Sequence, residues 1–144
     1  MADDGGRPRR CAGLTDEQLR LRSAEPSSLS LLGLVRHMAH VERVWFRVVL
    51  NGEDLPRLWG KDRDDDADFK EADTASVKEA FDVWREETER ARAISAAKPL
   101  DAVGDRNGRA CTHRYILVHM IEEYARHNGH ADLLRERIDG VTGE

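Results

Sequence analysis

The sequence predicts an all-α fold, a single bundle of helices. Apolar residues recur at helical spacing along three long stretches, and no stretch shows the clear alternation of a half-buried strand. The chain has 144 residues, 40% of them hydrophobic and 35% charged, which suits one core under a heavily charged surface. We expect a bundle domain over 14–140, after a disordered segment rich in Gly, Pro, Asp and Arg (1–13) and before a tail (141–144).

Composition and charge limit the function classes. The formal net charge of −5 argues against nucleic acid as a partner, because phosphate binding needs a basic patch. No apolar run approaches the roughly 18 residues of a membrane span, and the polar start MADDGGRPRR is no signal peptide. We therefore expect a cytoplasmic protein without a membrane partner. Cys11 and Cys111 are too few for a disulfide framework and are expected to be free thiols.

The first half of the chain predicts two helices. Residues 15–18 (TDEQ) fit a capping box for a short helix to about residue 22, which the Glu25-Pro26 step ends. A long helix follows over about 29–50, capped by one of the serines at 27, 28 and 30. At roughly 100° per residue, its wheel turns His37 and Glu42 into the apolar arc. The same wheel turns His40 outward, beside Arg36, Arg43 and Arg47.

The middle of the chain predicts an acidic loop and a third helix. Residues 53–73, with the run DRDDDADFKEAD, are expected to form a solvated loop that Trp59 pins to the bundle. A surface calcium site is the alternative, although the run lacks the glycine and closing glutamate of an EF-hand. A helix from residue 74 or 76 to about 95 follows, and residues 99–110 form a turn-rich connection.

The last helix, over about 112–138, carries the residues of greatest chemical interest. Glu123 and His127 are four apart, so their side chains lie on one face, one turn apart, at the apolar stripe. Together with His37 they supply two nitrogens and one oxygen, a ligand set that leaves positions on a divalent metal open. Glu42 is expected to orient a ligating histidine by accepting a hydrogen bond from it.

Other residues near this site are assigned supporting roles. His130 is a candidate fourth ligand, hydrogen-bonding partner of a ligand or proton carrier, and Trp45 is a candidate pocket wall. His113 and His119 are expected to be solvated or at the rim. An inward histidine is also commonly a hydrogen-bonded core residue, so spacing alone leaves a metal-free bundle open. The metal itself stays open too, with Zn, Ni or Fe foremost.

The segments SLLGLVRHMAHVERVWF and RYILVHMIEEYARHNGHADLLRE resemble the DinB superfamily, and most of all its actinobacterial mini-circle branch. The likeness runs from about residue 13 to 140. It implies a four-helix, up-down bundle, often dimeric, that holds a divalent metal between helices. In the branch similar to the N-terminal domain of mycothiol-dependent maleylpyruvate isomerase, the ligands fall on His37, Glu123 and His127, the positions that the wheels select independently.

The resemblance also implies an activity. Relatives use low-molecular-weight thiols such as mycothiol or bacillithiol in transferase or isomerase reactions on small-molecule substrates. We therefore expect a metal-dependent thiol S-transferase or isomerase. The alternatives are a metal-free helical interaction module and a metal-dependent hydrolase that uses water in place of the thiol.

The family's first long helix would precede Gly13, where residues 1–13 are too few to form it. We expect a bundle lacking most of that helix and open on one side. The exposed apolar surface would be covered by a partner subunit, as in a homodimer, or by chain from an earlier start.

Overall fold

A computed structural model of the protein describes residues 7–60 and 66–143. Helices dominate these residues, which confirms the all-α class. The elements in chain order are α1 (Asp16–Arg20), α2 (Leu31–Glu42, continued by a π-helical stretch, Arg43–Leu50), α3 (Ala67–Lys70), α4 (Val77–Ala97), β1 (Val103–Arg106), β2 (Arg109–Thr112) and α5 (His113–Asp139). No helix in this described part of the chain is both long and apolar enough to cross a membrane.

Local capping chemistry sets the ends of the helices. Thr15 forms the predicted capping box with Gln18, and α1 ends two residues earlier than predicted. Ser30 proves to be the cap of α2, where its hydroxyl accepts a hydrogen bond from the Gly33 amide at 3.0 Å. Gly140 ends α5 in the left-handed conformation (φ 78°), which glycine adopts without steric cost.

The turn-rich connection before α5 contains a β-hairpin that the sequence reading missed. β1 and β2 pair antiparallel, with Val103 opposite Thr112 and Arg106 opposite Arg109. Asn107 and Gly108 make the turn with φ of 54° and 84°, the positive values that a tight hairpin turn requires. The Asn-Gly pair was the available signal. The four-residue strands are too short for their alternation to stand out.

The hairpin rests directly on the π-helical part of α2. A Cβ added at Gly104 would lie 2.2 Å from the Val49 carbonyl oxygen, so only glycine permits this approach. This contact fixes the hairpin against α2 and holds Arg106, two residues later, beside Trp45. The guanidinium of Arg106 lies 4.3 Å from the centre of the Trp45 ring.

α2 is the central helix, and this corrects the predicted orientation of His40. α1, α3, α4 and α5 all pack against it. The side expected to face solvent is covered by the segment around Trp59 and by α3, so Arg36 is 5% exposed and His40 is 9% exposed. Trp59 Nε1 donates to the Arg36 carbonyl at 2.8 Å, and Arg36 Nε donates to the Asp68 carbonyl at 3.0 Å. The prediction of a surface His40 is therefore wrong, whereas Trp59 does pin the loop.

Arg43 and Arg47, the other two arginines predicted to lie beside His40, both bind one buried carboxylate. Glu87 of α4 is 1% exposed, and its Oε1 accepts hydrogen bonds from Arg43 Nη2 at 2.7 Å and Arg47 Nη1 at 3.0 Å. A buried charge is tolerated when it is paired in this way. These ion pairs join α4 to α2.

The acidic segment is only partly a solvated loop. Asp68, in α3, is 1% exposed, which corrects the prediction for this residue. Residues 61–65, the centre of the acidic run and of the calcium alternative, lie outside the described residues.

The N-terminal segment from Arg7 onward has a defined place, contrary to the predicted disorder. Arg10 Nη2 donates to Asp132 Oδ2 of α5 at 2.9 Å, and Arg135 Nη1 donates to the Ala12 carbonyl at 2.8 Å. Cys11 is 4% exposed and joins the core. Composition suggested disorder, but this ion pair, this hydrogen bond and the burial of Cys11 involve residues more than a hundred positions away. Residues 1–6 lie outside the described residues.

A groove of about 530 Å³ lies between α4 and α5, with α2 residues at its base. The N-terminal segment covers this side beside Asp132 and Arg135, while the part nearer the start of α5 is open. We call this 530 Å³ cavity the α4/α5 groove. Its mostly apolar lining includes Phe46, Trp84, Ala91, Leu117, Met120 and Tyr124.

Candidate metal centre

The structure brings His37 of α2 together with Glu123 and His127 of α5. His127 Nε2 lies 3.3 Å from Glu123 Oε2, and His37 Nε2 lies 3.9 Å from the same oxygen. One ligand atom from each residue lies within 4.8 Å of the others. The three side chains are between 14% and 25% exposed, so the group, here called the ligand cluster, is accessible from solvent.

The ligand cluster fits a divalent metal ion. Two imidazole nitrogens and a carboxylate oxygen suit zinc and other first-row divalent ions. Bonds of about 2.1 Å in tetrahedral geometry separate ligand atoms by about 3.4 Å. The observed 3.3 and 3.9 Å lie close to that separation.

Asp68 holds the His37 ring in the orientation that a ligand needs. Its Oδ2 lies 3.0 Å from His37 Nδ1. With the proton on Nδ1 donated to this buried carboxylate, the lone pair of Nε2 points toward Glu123. A carboxylate behind a ligating histidine fixes the tautomer and the orientation of the ring. Sequence reading missed Asp68, because within an acidic run it carries no signal that separates it from its solvated neighbours.

His130 lies beside the second histidine of the ligand cluster. Its Nδ1 is 3.3 Å from His127 Nδ1, so His130 is placed to orient His127 as Asp68 orients His37. Burial lowers the pKa of His127, and the nearby His37 lowers it further. Both effects favour the neutral ring, the state in which imidazole binds a metal.

Glu42 does not take the role predicted for it. The wheel correctly turned it inward, and it is 5% exposed. However, its Oε1 accepts a hydrogen bond from the Tyr124 hydroxyl at 2.7 Å, and it lines the α4/α5 groove on the other side of α5. Burial raises the pKa of this carboxyl. A wheel gives inward direction only, and cannot tell which neighbouring helix an inward residue meets.

A pocket of about 330 Å³ opens beside the ligand cluster, and we call it the cluster pocket. Trp45 forms part of its wall, as predicted, with its ring centre 4.4 Å from that of His119. His119 Nε2 lies 3.2 Å from Glu123 Oε1, so this predicted rim residue touches a candidate ligand. The lining of the cluster pocket consists of His37, His40, Val41, Val44, Trp45, Arg57, Asp68, Arg106, His119 and Glu123.

The remaining histidine and the cysteines are structural. His113 was expected to be solvated or at the rim, but it is 2% exposed, and its ring nitrogens lie 2.9 Å from Ser95 Oγ and 3.2 Å from the Pro99 carbonyl oxygen. It sits at the first position of α5, where the hairpin and the end of α4 enclose it. Cys11 and Cys111 are free, as predicted, and both are buried. Burial raises the pKa of Cys11 to about 11, so it does not supply a thiolate at neutral pH.

Comparison with protein families gives a match that covers most of the chain. The family model described as mycothiol-S-transferase matches residues 8–140. The comparisons with curated proteins and with solved structures give no significant match. The matched range includes every residue of the ligand cluster and all five helices, and the chain thus belongs to the mycothiol S-transferase family of the DinB-like superfamily.

Proposed function

We propose that this protein is a metal-dependent S-transferase that joins the thiol of mycothiol to a small electrophilic substrate. A divalent ion, with zinc, nickel or iron foremost, would be held by His37, Glu123 and His127. The observation that carries the proposal is the convergence of these three ligand atoms, within 4.8 Å, in a chain of this family. No other set of three such groups meets the same distance within residues 7–60 and 66–143.

The residues of the site have separable tasks in this reaction. A bound divalent metal supplies positive charge that lowers the pKa of a thiol near it, so that thiolate is available at neutral pH. Asp68 keeps the proton of His37 on Nδ1, and His130 lies against Nδ1 of His127. Trp45 shields one side of the cluster pocket from water. In the transferase reaction, the substrate carbon forms a bond to sulfur and releases its leaving group. In an isomerase, the substrate rearranges instead.

The first test is elemental analysis of protein purified without a histidine tag. We expect close to one metal equivalent after incubation with zinc or nickel, and a large loss in His37→Ala. Less than about a tenth of an equivalent in the wild type would contradict the metal-dependent reading. It would favour the metal-free interaction module.

A second assay separates transferase from hydrolase on metal-loaded protein. We expect accelerated conjugation of mycothiol to an electrophile and no metal-dependent hydrolysis of a chromogenic ester. The reverse result would assign the cluster to a hydrolase, since a divalent metal also lowers the pKa of water.

A homodimer is part of the proposal, because α5 carries exposed apolar side chains beside the α4/α5 groove that a second subunit would cover. Ile121 and Val118 of α5 are 69% and 51% exposed. Light scattering is expected to give a dimer, and Ile121→Lys is expected to shift it toward monomer. A wild-type monomer that binds no dye for exposed apolar surface would contradict this.

A further inference from the structure

We propose that the cluster pocket selects electrophiles that carry a carboxylate, held by Arg106, with Arg57 adding positive charge to the lining. This inference rests on the proposed transferase function and adds a substrate class to it. Both arginines line the same pocket as His37 and Glu123, although they come from separate parts of the chain. Arg57 follows the π-helical stretch, and Arg106 ends β1.

Charge is the first argument. The described residues that line the cluster pocket include two arginines, Arg57 and Arg106, and two carboxylates, Asp68 and Glu123. The carboxylate of Asp68 is directed to His37, and that of Glu123 to the ligand cluster. With a divalent cation bound, the lining is left with net positive charge. The chain as a whole has a net charge of −5, so this local excess favours an anion at this site in particular.

Position is the second argument. Arg106 lies over the Trp45 ring at 4.3 Å, and Trp45 contacts His119, which in turn contacts Glu123. The side chains between Arg106 and the ligand cluster therefore form one continuous wall. Stacking leaves the edge donors of a guanidinium available, and their fork matches a carboxylate. An electrophile held by its carboxylate at this arginine would place its carbon toward the cluster.

Iodoacetate and iodoacetamide provide a matched test, because they differ only in charge at the carboxyl end. In both reactions the thiolate sulfur forms an S–C bond, the C–I bond breaks, iodide leaves with the bonding pair, and the thiol proton passes to the buffer. We expect zinc-loaded protein to favour iodoacetate, after each rate is divided by its uncatalysed rate with mycothiol. Intact mass must show that buried Cys11 and Cys111 are not alkylated during the assay.

Variants of the hairpin locate the effect. Arg106→Gln is expected to reduce the preference for iodoacetate about threefold, chiefly through KM, because Arg106 is exposed and an exposed charge pair contributes only modestly. Arg106→Lys should recover part of it. Arg109→Gln is the matched control, since Arg109 lies opposite Arg106 in the hairpin, is exposed and does not line the pocket. Equal effects of Arg106→Gln and Arg109→Gln, or no effect of either, would overturn the proposal.

Equilibrium binding keeps the inference testable if no transferase activity is found. (Methylthio)acetate and (methylthio)acetamide are unreactive mimics of the two products. Titration monitored by NMR, with and without zinc, is expected to show tighter binding of the carboxylate and loss of that difference in Arg106→Gln only. Absence of any rate acceleration alongside this result refutes the proposed function and keeps the anion site. Rate acceleration without a preference for the carboxylate in either assay supports the proposed function and overturns the anion site.

Discussion

The two sides of α5 carry different chemistry. One side presents His119 and Glu123 to the polar cluster pocket, where imidazole and guanidinium groups meet carboxylates, and places His127 against Glu123. The other presents Leu117 and Tyr124 to the α4/α5 groove, whose lining is mostly apolar. Each side also meets one glutamate that the helical wheels predict to point inward. Glu123 lines the cluster pocket, and Glu42 of α2 lines the α4/α5 groove. Only Glu123 meets histidines, so the pairing across helices, and not burial alone, decides which glutamate can bind a metal.

The largest expected effect comes from exchanging these two glutamates. Glu123→Gln removes an anionic ligand and is expected to weaken zinc binding by about 100-fold or more. Glu42→Gln, the same change on the other side, should leave zinc affinity within about threefold, because Glu42 bonds Tyr124. Competition with a chromogenic chelator measures both. Equal losses would show that the two sides are not separate.

The next effect tests the carboxylate behind His37. Asp68→Asn keeps the shape but loses the charge, and should weaken zinc binding by about 10- to 100-fold. Asp73→Asn is the control, because Asp73 belongs to the same acidic segment and pairs with Arg22 in an exposed ion pair. An unchanged affinity in Asp68→Asn would remove Asp68 from the site.

On the groove side, the expected change is in stability and not in metal binding. Tyr124→Phe leaves the buried Glu42 carboxylate without its 2.7 Å donor and should lower the free energy of unfolding by about 1–2 kcal/mol. The pKa of Glu42 is raised, so its contribution to stability is present at acidic pH and lost as pH rises through the folded pKa. The defect should therefore be larger at pH 8 than at pH 5, as measured by urea unfolding.

The combined variant Tyr124→Phe/Glu42→Gln supplies the control for this pH dependence. A neutral amide cannot ionise, so the extra loss at pH 8 should disappear in it. If the loss persists, another group is responsible.

The smallest expected effect is a pH dependence on the cluster side. Burial lowers the pKa of His40, so folding favours its neutral form. The corresponding stability is present above the unfolded value of about 6.5 and is lost as pH falls, by at most about 1.4 kcal/mol per pH unit. Urea unfolding of metal-free protein between pH 7.5 and 5.5 should show a smaller slope in His40→Gln than in wild type. His127, whose pKa is also lowered, accounts for a remaining slope.

Helical periodicity was sufficient for the parts of the protein that depend on one helix at a time. It located α2, α4 and α5 to within a few residues and placed His37, Glu123 and His127 on inward faces. The i, i+4 spacing makes Glu123 and His127 neighbours wherever the helix lies. The Thr15–Gln18 capping box and the Glu25-Pro26 break also act over a few positions, so they could be read directly, whereas the cap of α2 stayed open among three serines.

Periodicity failed where two distant segments decide the environment of a residue. His40 was assigned to the surface because a wheel supposes one buried face, whereas α2 is covered on several sides. The N-terminal segment was assigned to disorder because composition cannot register the ion pair between Arg10 and Asp132.

The sequence by itself thus determined the helices and the three candidate ligands, since regular backbone geometry converts spacing into direction. Only the tertiary structure decided what surrounds them. The buried Arg36 binds the backbone of α3 and so holds Asp68 beside His37. Gly104 lets the hairpin pack closely on α2, which holds Arg106 beside Trp45. Each of these placements depends on contacts across at least thirty positions, which no local pattern encodes.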